Sequence, residues 1–370
     1  MANLLSQFIG TRSGTIPVEI FLVGGGGGGG AATGSDSAGG GGSGQVVYGL
    51  YNFDYDKSIN VSIGSSGLGS LGSNTPEPNV GNAGGDTRFG AIVAYGGGGG
   101  SGSGLLSQWE PDFISRQNYG SSGGTKRSLS ATMPGVCCNF PLGSEFVIRS
   151  HDQGPNSQNN NWSDEAVDQT GLWSQAGQGG TTEGNATVAA LIVGRKITPN
   201  GFIATGAGNH GDNAVAGGGG GAGGHPGYSQ LNRLGGRSDY LGSMQGSHAW
   251  YGRGGRGLPG SAIGYPTLEF AGGGGGGGSN YQPGNAGGGN GTYQTAGGDA
   301  LANSGSGGGG CSGGGNTAYV RGGNGGSGVC IIRYPTSYNA ATGIGTAATD
   351  SQSGYHVYRW NAPGSITFNP

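Results

Sequence analysis

Val18-Glu19-Ile20-Phe21-Leu22-Val23 runs without a break into seven consecutive glycines, Gly24 to Gly30. The first half is an apolar, β-forming run. The second is built from the residue that loses most entropy when the chain is ordered. The pairing recurs at Phe89-Gly90-Ala91-Ile92-Val93-Ala94-Tyr95 before Gly96 to Gly100, and at Leu268-Glu269-Phe270-Ala271 before Gly272 to Gly278. Further tracts lie at Gly39–Gly44, Gly217–Gly221, Gly287–Gly289, Gly307–Gly310 and Gly313–Gly315.

Glycine accounts for 96 of the 370 residues, against a usual share of roughly 7%. The tracts follow no Gly-X-Y register, which excludes a collagen triple helix. Charged residues are only 9% and the net charge is −3, whereas disordered chains typically carry high charge. Two readings of the tracts remain. As flexible linkers they would join strands too short to fold alone. As polyglycine II helices, with three residues per turn and about 3.1 Å rise, seven residues would reach about 22 Å. Such a helix has no internal hydrogen bonds, so its amides must pair with neighbours. Ordering so much glycine costs on the order of tens of kcal/mol, which only dense mutual bonding at about 1 kcal/mol net per bond can offset. Many tracts in one chain supply that density, and this favours the packed lattice.

The expected fold is therefore all-β, with short strands anchoring packed polyglycine II helices and very little α-helix, because no stretch shows an extended 3.6-residue amphipathic period. Strands are expected at Val46–Phe53, Tyr55–Ile63 (Ile59, Val61 and Ile63 on one side), Arg88–Tyr95, Val329–Pro335, Tyr355–Trp360 and Ser365–Phe368. Gly64–Pro78 reads as turn-rich, Ala340–Ser353 as a small-residue spacer, and Asn361–Gly364 as a hairpin loop. The organisation reads as an arm over 1–15, a glycine-rich domain in two parts over 16–104 and 206–335, a Trp-bearing β-rich insertion over 105–205, and a C-terminal β-hairpin tail over 336–370.

The opening run, the glycine blocks, the exit Gly325-Gly326-Ser327-Gly328-Val329-Cys330-Ile331-Ile332-Arg333-Tyr334-Pro335 and the ending Gly354-Tyr355-His356-Val357-Tyr358-Arg359-Trp360-Asn361-Ala362-Pro363-Gly364-Ser365-Ile366-Thr367-Phe368 together resemble the glycine-rich domain of bacteriophage tail-fibre and adhesin proteins. The resemblance covers roughly 16–104 and 206–368, and 105–205 departs from it. It implies a sandwich of polyglycine II helices at a fibre tip, with loops that touch a host receptor, either an outer-membrane protein or a polysaccharide. It also implies a place in the virion, other fibre proteins as partners, and a homo-oligomer such as a trimer. Cys330 stands where that family usually has an apolar residue, consistent with a buried structural role.

Several chemistries find no footing. Lysine occurs only at 57, 126 and 196, too few for phosphate-backbone binding, so no nucleic-acid partner is expected. No apolar run approaches the roughly 20 residues of a membrane span, and the N-terminal stretch lacks a basic leader pattern. Gly-x-Gly-x-x-Gly matches arise by chance in such a chain. His151, His210, His225, His248 and His356 lack zinc-site spacing. Asp164, Glu165 and Asp168 read as solvated rather than as a hydrolytic pair, and Gly208–Asn213 does not repeat as calcium-binding turns do. Cys137, Cys138, Cys311 and Cys330 form no CxxC pair and read as buried or idle thiols. No catalytic residue, cofactor or metal is expected.

The best candidate site is 225–265, where Tyr240, His248, Trp250, Tyr251, Arg253 and Arg256 lie close together. Aromatic faces stack on sugars or fill protein pockets, and arginine forks bind anionic groups. The competing reading is that Trp250 and Tyr251 cap the lattice while the arginines are solvated.

Overall fold

Thr15–Val23 is the middle strand of a seven-stranded, wholly antiparallel sheet. In the computed structural model the described residues are 14–34, 36–72, 79–100, 102, 150–152, 189–191, 195–198, 201–204, 218–222, 254–255, 257–278 and 283–370. Across the sheet the order is Ala348–Gln352, Tyr355–Trp360, Val329–Pro335, Thr15–Val23, Val46–Asp54, Gly201–Ala204 and Arg195–Thr198. A four-stranded sheet (Gly364–Thr367, Ser58–Ser62, Thr87–Phe89, Ile92–Ala94) covers one face. On that side Val18, Ile20 and Leu22 meet Val61, Phe89, Trp360 and Ile366. On the other, Phe21 and Val23 pack with Leu258, Ile263 and Phe270. Burial on both faces explains why residues 20–23 are continuously apolar instead of alternating. Each such side chain contributes about 1.5–3 kcal/mol.

The prolines sit where the ladder needs no donor. Val329–Pro335 pairs with Thr15–Val23 from Glu19↔Arg333 to Val23↔Val329. Continuing that register brings Pro17 opposite Pro335, and the ladder stops before reaching them, as two residues without N–H require.

Beyond Val23 the glycines do form a lattice. The amides of Gly24, Gly27 and Gly30 donate to Gln45, Gly42 and Gly39; those of Gly25, Gly28 and Ala31 to Gly85, Asn82 and Asn79; those of Gly26 and Gly29 to Gly326 and Gly323, all at 2.8–3.0 Å. Every third residue thus turns to the same neighbour, the period of a polyglycine II helix. Three other tracts donate in return: Gly67 and Ser70 to Gly26 and Gly29, Gly97 and Gly100 to Gly25 and Gly28, and Gly308 to Gly27. The surrounding tracts also bond around the ring, through Asn82 to Leu68, Gly84 to Gly97, Gly42 to Gly98, Gly41 to Gly308, Gly326 to Ser306 and Gly322 to Ser70 (amide to carbonyl). Tract 24–31 is therefore the axis of a hexagon. The tract 305–310 is enclosed in the same way, bonding to Gly27, Gly41, Gly272, Gly289, Gly298 and Gly323.

Space, rather than φ, demands glycine here. None of Gly24 to Gly30 has positive φ, but a Cβ on Gly24, Gly25, Gly26, Gly27, Gly28 or Gly29 would lie 1.9–2.2 Å from a neighbouring carbonyl oxygen. Those oxygens occupy the positions of Cα–H···O contacts. At the rim the demand ends: Val80 and Ala83 are partly exposed, and Leu68 is 58% exposed.

Several sequence expectations change. Residues 64–70 form a tract of the hexagon and not a turn-rich loop, because bare amides at Gly67 and Gly69 and the rim side chains Ser65 and Leu68 suit a lattice edge. The expected strand Arg88–Tyr95 is split into Thr87–Phe89 and Ile92–Ala94, since Gly90 turns the chain at φ +57°. The small-residue spacer contains the edge strand Ala348–Gln352. Asn361–Gly364 does not close a hairpin: Tyr355–Trp360 belongs to the large sheet, and Gly364–Thr367 pairs with Ser58–Ser62 in the small one. Little of 105–205 is described, but Arg195–Thr198 and Gly201–Ala204 extend the large sheet. Among the described residues no helix is long and apolar enough to cross a membrane.

Candidate functional site

Tyr240, His248, Trp250, Tyr251, Arg253 and Arg256 lie outside the described residues, as do Asp164, Glu165, Asp168, Gly208–Asn213, Cys137 and Cys138. What is described is where the candidate segment is tied down. Before it, Ala222 donates its amide to Ala271, the residue directly after strand Tyr265–Phe270. After it, Gly254 and Gly255 donate to Pro283 and Gly219, and Gly273 donates back to Gly255. Both ends are thus fixed in the lattice by backbone bonds close to the sheets. Leu258 then enters the core beside Phe270.

The described polar clusters are built largely to hold strands. Glu19, buried in the central strand, receives Nη2 (2.8 Å) and Nε (3.1 Å) of Arg333 and the hydroxyl of Tyr48 (3.0 Å). Arg333 also donates to Gln352 Oε1 and the Ala262 carbonyl, and it lies 4.6 Å from the ring centroid of Tyr355. Five strands and the 3-10 turn Ser261–Ile263 meet at this one ion pair. Burial, reinforced by the adjacent Glu19 carboxylate, pushes the Tyr48 hydroxyl well above its ordinary pKa, so it stays a donor. An acidic residue inside an apolar strand run was the sequence signal for this cluster. Its partner Arg333, 314 residues away, gave none.

Tyr265 donates to Asp350, which also pairs with Arg359 at 3.2 Å. Burial and the Asp350 contact raise the Tyr265 pKa. On the opposite face Tyr334 and Tyr358 share a hydroxyl contact and receive the Ala341 amide, while His356 Nε2 lies 3.1 Å from the Tyr338 carbonyl. Cys311 and Cys330 are free and buried; burial holds the Cys311 thiol up at about 12 and Cys330 well above the usual value. These groups are committed to one another or sealed in the core, and inside the lattice the tracts meet through backbone. The described residues thus form a fixed frame of strands and glycine tracts, with chain segments inserted between its tracts.

A family model described as a glycine-rich domain matches residues 6–264, more than half of the chain. No curated protein matches it. The lattice continues past the matched segment, through the tracts 271–277, 305–310 and 321–328.

Proposed function

The chain belongs to the glycine-rich domain family, and from that premise we propose that it is a virion surface protein, a bacteriophage tail-fibre or fibre-tip adhesin. Its inserted segments bind an outer-membrane protein or a surface polysaccharide of the host. The observation that carries this reading is the hexagon around Gly24–Ala31, which is held almost entirely by backbone bonds. A frame with no side-chain code tolerates changes in its loops, as a protein that must follow a varying receptor requires. Tyr240, His248, Trp250, Tyr251, Arg253 and Arg256 are the proposed contacts; the first five lie between the anchors at Ala222 and Gly254, and Arg256 follows the anchor pair Gly254-Gly255.

The test is adsorption of purified protein to host cells. Trp250→Ala and Arg253→Ala should each reduce adsorption at least tenfold while leaving the circular dichroism spectrum intact. Wild-type adsorption by both variants, with altered particle assembly, would mean a purely architectural virion protein. Release of sugar from host polysaccharide would instead mean a depolymerase.

A further inference from the structure

We propose that the outer edge of strand Ala348–Gln352 is a self-association edge, on which a second copy of this chain pairs antiparallel across a two-fold axis. The strand ends the seven-stranded sheet and joins Tyr355–Trp360 through the two-residue turn Ser353-Gly354. Gly354 has φ +78°, as the third position of a type II turn requires. In such a turn Gln352 and Tyr355 form the hydrogen-bonded pair. Antiparallel pairs alternate, so Ala348, Asp350 and Gln352 direct their amides and carbonyls inward. Thr349 and Ser351, both exposed, direct theirs outward.

Two other sheet edges are guarded. Arg195–Thr198, at the far side of the same sheet, carries two cations in four residues. Gly364–Thr367 is capped by Thr342, which exchanges two backbone bonds with Thr367 at 2.8 and 2.9 Å. Charges, prolines and bulges are the usual defences of an edge. Ala-Thr-Asp-Ser-Gln has neither proline nor bulge, and its one charge, Asp350, is held by Tyr265 and Arg359. An open groove of about 380 Å³ runs along this hairpin, lined by Thr349, Ser351, Gln352, Tyr355 and His356 among others.

The occupant follows from self-complementarity. With Ser351 opposite Ser351 of the partner subunit, the outward amides and carbonyls of the two strands meet as a hydrogen-bonded pair. Asp350 then faces Gln352 of the partner subunit, and no like charges oppose each other. The pairing is isologous and closed, so it yields dimers. A five-residue ladder buries less than the roughly 1,200 Å² of a standard interface, so association should be concentration-dependent and weak.

Sedimentation of the full chain over a wide concentration range should show a monomer–dimer equilibrium. Ser351→Lys, a surface change, should weaken it at least tenfold. Ser351→Cys should form an intermolecular disulfide between the two introduced thiols under mild oxidation, identified by peptide mass, because hydrogen-bonded pairs bring Cα atoms to about 5.5 Å. A chain that is monomeric throughout, a dimer indifferent to Ser351→Lys, or the absence of that crosslink would each overturn the proposal. Capture of a foreign strand by a strictly monomeric chain would do so as well.

Discussion

Gly27→Ala tests the lattice with one methyl group. The added Cβ would lie 2.1 Å from the Gly98 carbonyl oxygen and 2.5 Å from its carbon, so one tract must move by about 1 Å to restore van der Waals contact. The two clashing tracts are joined directly by the Gly97 and Gly100 amides, which donate to the Gly25 and Gly28 carbonyls at 2.8 Å. A shift of that size takes both bonds out of range, at about 1 kcal/mol each. Overpacking adds about 1–3 kcal/mol. Against this, alanine restricts the unfolded chain and returns about 0.4–1 kcal/mol. The net expectation is a loss of about 2–4 kcal/mol, read from denaturant unfolding followed by circular dichroism. The control is Ala83→Gly, at a rim position that already carries a Cβ, which should change stability by no more than about 1 kcal/mol. Equal, small effects of the two substitutions would refute the close-packed hexagon.

Other perturbations address the anchor. Glu19→Gln leaves the partly buried Arg333 guanidinium without its counter-charge and should destabilise by about 3 kcal/mol in the same assay; Glu19→Met with Arg333→Met should recover part of that loss. Leu22→Ala removes a fully buried side chain from the core between the two sheets and should lose about 2–5 kcal/mol. Cys311 and Cys330 should resist an aromatic disulfide reagent at about pH 8 until the protein is unfolded, with peptide mapping separating them from Cys137 and Cys138. The sign follows from the raised pKa: at that pH a thiol titrating near 12 is almost wholly protonated, and the thiolate is the reactive form.

The parts of the fold that were legible in the sequence are those with a chemical contrast. Val18–Val23 against Gly24–Gly30 marks where sheet gives way to lattice, and the exit strand Val329–Pro335 marks the reverse. The neighbours of each tract were not legible, because identical glycines carry no partner code. Nothing in Gly27 names Gly42, Gly98 or Gly308. Ala348–Gln352 escaped because it has no apolar alternation; it is a strand only because Tyr355–Trp360 offers it a ladder. Gly64–Ser70 misled in the opposite direction, since serine and leucine at a lattice rim resemble turn composition. Of the candidate site, composition pointed to the aromatic and arginine cluster, while the structure supplies its anchors at Ala222 and Gly254. The Glu19–Arg333 pair was half legible, through an acid inside an apolar strand.

Amide hydrogen exchange across Gly24–Gly30 addresses the lattice most directly. A tract enclosed by six neighbours has no local opening that frees its amides, so Gly25 to Gly29 should exchange only with global unfolding, as slowly as Ile20 and Leu22 in the central strand. Exchange of those glycine amides at the rate of an unstructured peptide, while Ile20 and Leu22 stay protected, would mean that the tract is a linker and that no lattice exists.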